Sequence, residues 1–316
     1  MSAVRWGILS TARINGALIG GLRAAVNAEL VAVASRTDAA AEAYARTWDI
    51  PQAHASYESL LADDEVEAIY ISLPNSLHVP WSIRALEAGK HVLCEKPLTR
   101  RAADAEAAFD AAESAGRLLT EAFMWRHHPQ TAEAARLVRS GAIGELRSAH
   151  AVFSFTLGDG PNVRWDPALE GGALMDVGCY CLSALRLLCG EPERVRCETV
   201  DRGGVDARAS AVLRFAGDVL GTLECAFDTA PRSSLEVVGS TGRLLVDDPW
   251  KAPAITVVGA DGSRGAVAME LMNPYTLEVE DLSRAISSGG EPLLGRDDAV
   301  GQARALEALY AAAASR

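Results

Sequence analysis

Residues 4–15 read VRWGILSTARIN. The first six, Val4 to Leu9, form an apolar run typical of a buried strand, and the small residues after them suit a tight turn into a helix. The apolar residues of that helix recur at helical spacing on one face: Ile14, Leu18, Gly21, Leu22 and Ala25. A strand, a tight turn and an amphipathic helix in this order predict the first unit of a doubly wound α/β fold.

The same alternation continues through the first 122 residues. Four more apolar runs lie between helical patterns and predict strands at Leu30–Ser35, Ala68–Leu73, His91–Cys94 and Leu118–Ala122. Strands that are apolar on both faces and joined by helices require a parallel sheet covered on both sides. We therefore predict a doubly wound parallel α/β domain over residues 1–122.

The pattern changes after Phe123. Residues 148–155 and 209–215 alternate between apolar and polar, and the turn Ala216-Gly217-Asp218 leads into a further strand, Val219 to Phe227. We predict a second α+β domain over residues 123–316, built on an open, mostly antiparallel sheet. Its last helix, about Asp298 to Ala313, is able to pack back on the first domain. Because an open, half-apolar sheet face needs cover, we also expect a homodimer or homotetramer.

The composition argues against several classes of protein. Among 316 residues, 30 basic and 42 acidic side chains give a net charge of −12, which does not suit a nucleic-acid binder. Met1 to Ser10 has no signal-peptide pattern, and the apolar segment Gly171–Gly190 contains Asp176 and Arg186, so we expect neither secretion nor membrane insertion.

The six cysteines form no CxxC pair and are interpreted as reduced core thiols of a cytoplasmic protein. We predict no metal site, and interpret His127-His128 as ordinary polar packing.

The first strand-to-helix turn favours a dinucleotide site. Where the pattern G-x-G-x-x-G is typical, this chain has S-x-A-x-x-N, with Ser10 first and Asn15 last. The match is degenerate, and an ordinary turn is the alternative. Its place in the first βαβ unit favours a turn that contacts pyrophosphate through Ser10, Thr11, Ala12, Arg13 and Ile14.

The end of the second strand indicates which dinucleotide is bound. A residue there contacts the ribose, where an acid suits the 2′-hydroxyl of NAD and an arginine suits the 2′-phosphate of NADP. The chain has Ser35-Arg36-Thr37. A solvated arginine is the alternative, but a guanidinium flanked by two hydroxyl donors favours NADP, with NAD also possible.

Two further motifs suit a catalytic site. Glu95-Lys96-Pro97 directly follows a predicted strand, so Lys96 lies at the carboxyl end of a parallel sheet, where such folds bind ligands. Gly171-Gly172 opens a helix whose apolar side holds Leu174, Val177, Cys181, Leu185 and Leu188. Asp176, Tyr180 and Ser183 gather about 120° away on what we predict to be a face lining a cleft. Trp125 and Arg126, just past the last strand, either border the same pocket or bury the indole.

With these motifs the chain resembles the glucose-fructose oxidoreductase/inositol dehydrogenase/MocA family. The resemblance rests on four segments: residues 6–12, residues 72–78 (SLPNSLH), residues 95–97 (EKP) and residues 171–180 (GGALMDVGCY). It is greatest to the NADP-dependent D-xylose dehydrogenases and the dimeric dihydrodiol dehydrogenases, which have tyrosine where inositol dehydrogenases have histidine. Relatives usually have glycine at the position of Ser10 and a smaller residue at that of Asn15.

The resemblance implies a Rossmann domain that binds NADP and a second domain whose open sheet forms a dimer. It implies that Lys96 and Tyr180 are the catalytic pair and that Asp176 orients the substrate or the lysine. The other residues implied to lie at the cofactor are Leu73, Pro74, Asn75, His78, Glu95 and Pro97, with Arg164 and Trp165 on a loop that closes over the nicotinamide.

The chemistry of this pair suits alcohol oxidation. A phenol has a pKa near 10, which is high for a base at neutral pH, and a neighbouring ammonium favours the phenolate. Taken singly, Tyr180 also suits a half-buried helix position, Lys96 a solvated strand end and Asp176 a first-turn charge. We predict an NADP-dependent oxidoreductase acting on a pyranose sugar or cyclic polyol. A non-catalytic NADP-sensing regulator and a glycosidase with tightly bound NAD are the alternatives.

Overall fold

The computed structural model describes residues 3–251 and 254–315, which form two compact units. The first contains the chain up to Met124 together with Asn273–Val300, and the second contains Trp125–Met272 and the chain from Gly301. The segment 273–300, which the sequence places in the second domain, thus belongs to the first unit. Met1, Ser2 and Arg316, at the ends of the predicted domains, lie outside the described residues.

The described residues contain strands and helices whose bounds are as follows. The strands are β1 (Val4–Leu9), β2 (Ala28–Ala34), β3 (Gln52–His54), β4 (Ala68–Ile71), β5 (His91–Glu95), β6 (Leu119–Ala122), β7 (Leu146–Thr156), β8 (Arg194–Arg202), β9 (Val205–Arg214), β10 (Leu220–Ala226), β11 (Asp228–Gly239), β12 (Gly242–Asp247), β13 (Ile255–Gly259) and β14 (Arg264–Val267). The α-helices are α1 (Asn15–Ala24), α2 (Asp38–Trp48), α3 (Tyr57–Leu61), α4 (His78–Glu87), α5 (Ala102–Ala115), α6 (Pro129–Arg139), α7 (Cys179–Cys189), α8 (Pro274–Ser288) and α9 (Arg296–Ala314).

The first unit is a Rossmann sheet. Its strands are parallel in the order β3-β2-β1-β4-β5-β6, which confirms the predicted doubly wound fold. The predicted bounds of β1 are the observed ones, whereas β3 was not predicted because its three residues contain no apolar run. Strand order reverses between β1 and β4, and this is the point at which open α/β sheets bind their ligands.

Helix α1 packs closely on α8 within the first unit. A Cβ on Gly21 would lie 2.8 Å from the backbone carbonyl carbon of Tyr275, so only glycine allows this approach. Trp6, fully buried in β1, donates its indole N–H to the Ser283 hydroxyl of α8 at 3.1 Å. The close packing explains why a glycine shares the apolar face predicted for α1.

The second unit contains an eight-stranded sheet in the order β14-β13-β12-β11-β7-β10-β9-β8. Neighbouring strands are antiparallel except β7 and β10, which are parallel. A parallel pair needs a crossover connection, and the chain between these two strands includes α7. The open, mostly antiparallel sheet of the prediction is therefore confirmed.

The helix predicted after Gly171 differs from expectation. Residues Leu174–Gly178 form a π-helical turn, and α7 follows it without a break. On the face predicted to be open, Asp176 is half-buried, Tyr180 is 9% exposed and Ser183 is fully buried. The segment Pro167–Cys189 is long and apolar enough to cross a membrane, but 83% of its apolar 18-residue window is buried inside the protein, as in a core helix. The cleft-lining prediction for Ser183 was therefore wrong, because neighbours far away in the chain cover that face.

Candidate functional site

The turn after β1 adopts a backbone conformation that normally requires glycine. Ser10 has φ of +148° and is buried. Its hydroxyl lies 2.6 Å from the Ser72 hydroxyl, which follows β4, and accepts the Ala12 N–H at 3.1 Å. Ser10 therefore adopts a backbone conformation typical of glycine, and its hydrogen bonds join the ends of β1 and β4, between which the strand order reverses.

Asn15, the other unusual residue of the turn, completes this network. It is fully buried, donates its amide to the Ser10 carbonyl at 2.9 Å and accepts the Ser72 hydroxyl at 2.6 Å. Both departures from the glycine pattern belong to one set of buried hydrogen bonds, which the sequence alone did not indicate. Ala12 stays small and partly exposed in the turn, as approach of a pyrophosphate requires.

Helix α1 presents an open N-terminus beside this turn. Ile14 precedes the helix and gives no side-chain cap, and no acidic residue lies in the first turn. Such a terminus attracts anions because the helix dipole and backbone N–H groups point outward. Arg13 and Ile14 are exposed and Thr11 is partly exposed, so the predicted phosphate-binding turn is accessible.

Arg36 lies at the end of β2, as predicted. It is exposed, and among the described residues no carboxylate forms an ion pair with it, while Ser35 next to it is buried. Thr37 caps α2 by accepting the Ala40 N–H at 3.4 Å, which leaves its own O–H free to donate. An accessible guanidinium and a hydroxyl donor suit a 2′-phosphate.

Lys96 follows β5 at the carboxyl edge of the parallel sheet and is half-buried. The Lys96–Pro97 peptide bond is cis. His78 is buried, and its ring nitrogens lie 2.9 Å from the Pro97 carbonyl and 2.7 Å from the Leu73 carbonyl. The ring therefore lies between the two carbonyl oxygens and joins the loop after β4 to the lysine turn. Two further residues assigned to the cofactor, Pro74 and Asn75, are half-buried in that loop.

Glu95 has two buried neighbours, Tyr70 and Glu278, which the sequence did not indicate. Tyr70 of β4 donates its hydroxyl to Glu95, the residue before Lys96. Burial and the Glu95 carboxylate together raise the pKa of Tyr70 well above its usual value. Burial raises the pKa of Glu278 in α8 in the same way, with Glu95 adding to it. Both neighbours therefore favour their protonated forms.

Tyr180, at the start of α7, is held by aromatic side chains of the second unit. Its ring centroid lies 5.6 Å from Phe153 in an edge-to-face contact and 5.6 Å from Trp250. Trp125 contacts Trp250 edge-on at 5.2 Å. The sequence did not identify Phe153 or Trp250, which come from β7 and from the loop after β12. These rings fix the plane of the phenol.

Asp176 and Arg164 form an ion pair with 2.5 Å between Oδ2 and Nε. The aspartate lies in the π-helical turn and the arginine in the loop predicted to cover the nicotinamide. Trp165 in the same loop packs edge-on against Phe227 at 5.4 Å and donates to the Gly158 carbonyl. The guanidinium thus orients the aspartate from within the second unit.

The neighbouring residues Trp125 and Arg126 differ in burial. The Trp125 indole is buried at 3% exposure, whereas Arg126 is half-buried and donates to the Ser183 hydroxyl at 3.2 Å. Their assignment to the substrate pocket stays a prediction. His128 caps α6 by accepting the Gln130 N–H. No disulfide joins any of the six cysteines, and all of them except Cys189 are buried. No group of three or more potential metal ligands occurs in the described part of the chain.

The predicted site residues thus fall into two sets. The turn after β1, Arg36 and Lys96 belong to the first unit, where parallel strands bring their ends to one edge. Asp176 and Tyr180 belong to the second unit, one turn apart. The expectation that Lys96 and Tyr180 act together stays a prediction.

Comparison with known proteins gives consistent matches over the whole chain. A model of an oxidoreductase family with an NAD-binding Rossmann fold matches residues 4–123, and one of the GFO/IDH/MocA C-terminal domain matches residues 131–245. D-xylose 1-dehydrogenase (NADP(+)) 2 of Haloferax volcanii is 42% identical over 98% of this chain and 97% of that protein. Trans-1,2-dihydrobenzene-1,2-diol dehydrogenase of Mus musculus is 34% identical over 81% of this chain and 78% of that protein. A 3-ketoreductase from Actinomadura kijaniata, solved with NADP and TDP-benzene, is 30% identical with a TM-score of 0.91 over 98% of both chains.

Proposed function

The chain belongs to the glucose-fructose oxidoreductase/inositol dehydrogenase/MocA family of oxidoreductases, and from this we propose that it is an NADP-dependent enzyme acting on a sugar. The reaction is hydride transfer between a hydroxyl-bearing carbon of a pyranose or cyclic polyol and the nicotinamide. The observation that carries the proposal is the 42% identity, over 98% of the chain, to a D-xylose dehydrogenase named for NADP(+).

The residues of the first unit fit this cofactor. The exposed Arg36 guanidinium suits the 2′-phosphate, and the uncapped N-terminus of α1 suits the pyrophosphate. Ala12 keeps the turn free of bulk where the backbone must approach the phosphates. NADP, when bound, accepts the hydride in oxidation and returns it in reduction.

The proton is handled by residues of this chain. In the proposed mechanism the Tyr180 phenolate takes the proton of the reacting hydroxyl in oxidation and becomes the phenol, and in reduction the phenol returns that proton. The Lys96 ammonium hydrogen-bonds the reacting oxygen and favours the phenolate. Asp176, oriented by Arg164, accepts a hydrogen bond from the substrate and so sets its position. The aromatic contacts of Tyr180 limit rotation of the phenol during transfer.

The test is to measure formation of reduced nicotinamide with NADP and a panel of aldoses, cyclic polyols and dihydrodiols. Lys96→Met and Tyr180→Phe are each expected to lower kcat about a hundredfold or more. Lys251→Met, at an exposed lysine, is the matched control. Absence of turnover with every substrate and in both directions would overturn the proposal. Cofactor that co-purifies and is never net reduced would instead favour the glycosidase alternative.

We also propose that the chain forms a homodimer through the open sheet of the second unit. Large apolar side chains on its strands remain about half exposed: Val200 at 48%, Val212 at 49% and Leu220 at 47%. Apolar area of this kind on a broad sheet favours association with a second copy. Val212→Arg is expected to shift the mass measured by light scattering to that of a monomer, and an unchanged mass would place the interface elsewhere.

We infer a cytoplasmic location from the thiols. No disulfide joins any of the six cysteines, and burial raises the pKa of Cys189 to about 12 and that of Cys197 to about 11, which suits inert thiols in a reducing compartment. Fractionation of the producing cells with an antibody to this chain tests the inference, and recovery outside the cytoplasmic fraction would contradict it.

A further inference from the structure

The segment that leads into the π-helical turn wraps around a buried carboxylate. Gly172 has φ of +117°, and a Cβ there would lie 2.3 Å from Oδ1 of Asp206 in β9. A Cβ on Gly171 would lie 2.4 Å from the Arg164 carbonyl oxygen. Both glycines are therefore needed to bring the backbone against Asp206 and against the loop that carries Arg164.

Asp206 holds the start of the π-helical turn from outside it. The carboxylate is 5% exposed, and Oδ2 accepts the Leu174 N–H at 2.6 Å, where the turn begins. Oδ1 accepts the hydroxyl of Tyr310 in α9 at 3.0 Å. A carboxylate at this place acts as an N-cap supplied by a distant strand, because it satisfies a backbone donor that the turn itself leaves unpaired.

The other end of the turn is held by the same helix. Gln302 of α9 donates its amide to the Cys179 carbonyl at 2.8 Å, directly before Tyr180. Arg186, buried in α7, donates to the side-chain oxygen Oε1 of Gln302 at 3.0 Å and so fixes the orientation of that side-chain amide. The π-helical turn is thus clamped at both ends by residues that follow it by up to 136 positions in the chain.

We propose that Asp206, with Tyr310 and Gln302, is a positioning residue that sets the place of Asp176 and Tyr180 for the reaction. This inference rests on the proposed function, in which those two side chains act on the substrate. Asp206 acts through the backbone that carries both, by its bond to the Leu174 N–H. A π-turn is rare and occurs frequently at functional sites. Side chains carried on it keep a reactive geometry only when the turn itself is supported.

The experiment compares Asp206→Ala with Asp206→Asn. Asparagine can accept the Leu174 N–H and donate to the Tyr310 oxygen, whereas alanine can do neither. We expect Asp206→Ala to lower kcat about tenfold or more with the KM for NADP unchanged, and Asp206→Asn to restore most of the loss. Hydrogen exchange of the amides of residues 172–180 should quicken in the alanine variant alone, with exchange in the strands of the first unit unaltered.

Each result decides the inference. A native kcat and native exchange in Asp206→Ala, or an asparagine variant as impaired as alanine, would overturn it. If the native chain turns over no substrate, the proposed function fails, while the exchange comparison still decides whether Asp206 supports the turn. Should the alanine variant not fold, Tyr310→Phe, which keeps the carboxylate, takes its place. Quicker exchange at residues 172–180 then supports the inference, and unchanged exchange overturns it.

Discussion

Substitution of Gly172 by alanine should destabilise the second unit more than an ordinary glycine substitution. A non-glycine residue at its φ of +117° costs about 1–2 kcal/mol. The new Cβ, 2.3 Å from the Asp206 carboxylate, also forces that group away from the Leu174 N–H. A hydrogen bond to a charged group contributes about 1.5–3 kcal/mol. The two effects together predict a loss of about 2.5–5 kcal/mol in the free energy of unfolding.

Gly217 provides the matched control for this substitution. It has a positive φ of +70°, but no other atom lies within 4 Å of a Cβ placed there. Gly217→Ala is therefore expected to lose only the backbone contribution, about 1 kcal/mol. Urea unfolding of both variants gives the two free energies. The double variant Gly172→Ala/Asp206→Ala should lose less than the sum of the single losses, because the second change removes the collision.

Equal losses in Gly172→Ala and Gly217→Ala would refute this reasoning, since the approach to Asp206 would then have no effect on stability. Additive losses in the double variant would refute it as well.

Three further predictions concern Arg36 at the end of β2, Ser10 in the turn after β1 and the buried Asp206. Arg36→Ala should raise the Kd for NADP about tenfold to a hundredfold while NAD binding stays constant, because a charged hydrogen bond to the 2′-phosphate is lost; titration with both nucleotides checks this, and an equal loss for NAD would contradict the assignment. Ser10→Ala keeps the positive φ of +148° without the hydroxyl, so it should be less stable than Ser10→Gly by about 1 kcal/mol in urea unfolding; the opposite order would show that the backbone there is unstrained. Burial raises the pKa of Asp206 to about 6, so its contribution to stability is fully present below its unfolded pKa of about 4 and is lost as the pH rises through about 6. Relative to Asp206→Asn, the native chain should therefore lose about 3 kcal/mol of unfolding free energy between about pH 4 and pH 8, and a constant difference would count against the burial of a charge.

Much of the first unit could be predicted from local pattern. The apolar run Val4–Leu9 coincides with β1, because a strand buried on both faces needs consecutive apolar residues wherever it lies in the sheet. Lys96 is found at the strand end where the sequence placed it, since a parallel strand presents its carboxyl end to the ligand edge. The strand Gln52–His54 was missed because sheet pairing with β2, rather than its own composition, makes it a strand.

The sequence predicted which residues belong to the candidate site, but it did not predict which side chains cover them. The sequence marked Asp176 and Tyr180 but placed them on an open helix face, because periodicity indicates which residues share a side and not what covers that side. Phe153 and Trp250 cover the phenol, and no pattern in the chain linked them to it.

The sequence by itself determined the parallel strands of the first unit other than β3, the change to a second type of sheet after Phe123 and the chemical groups at the strand and helix ends, because each depends on residues close together in the chain. Only the tertiary structure decided how those groups are supported. The Asp206 contacts join residues 32 and 104 positions apart, and the Ser10 turn depends on a serine 62 positions away. Hydrogen bonds over such separations exist only after the backbone has folded, and no local pattern of residues encodes them.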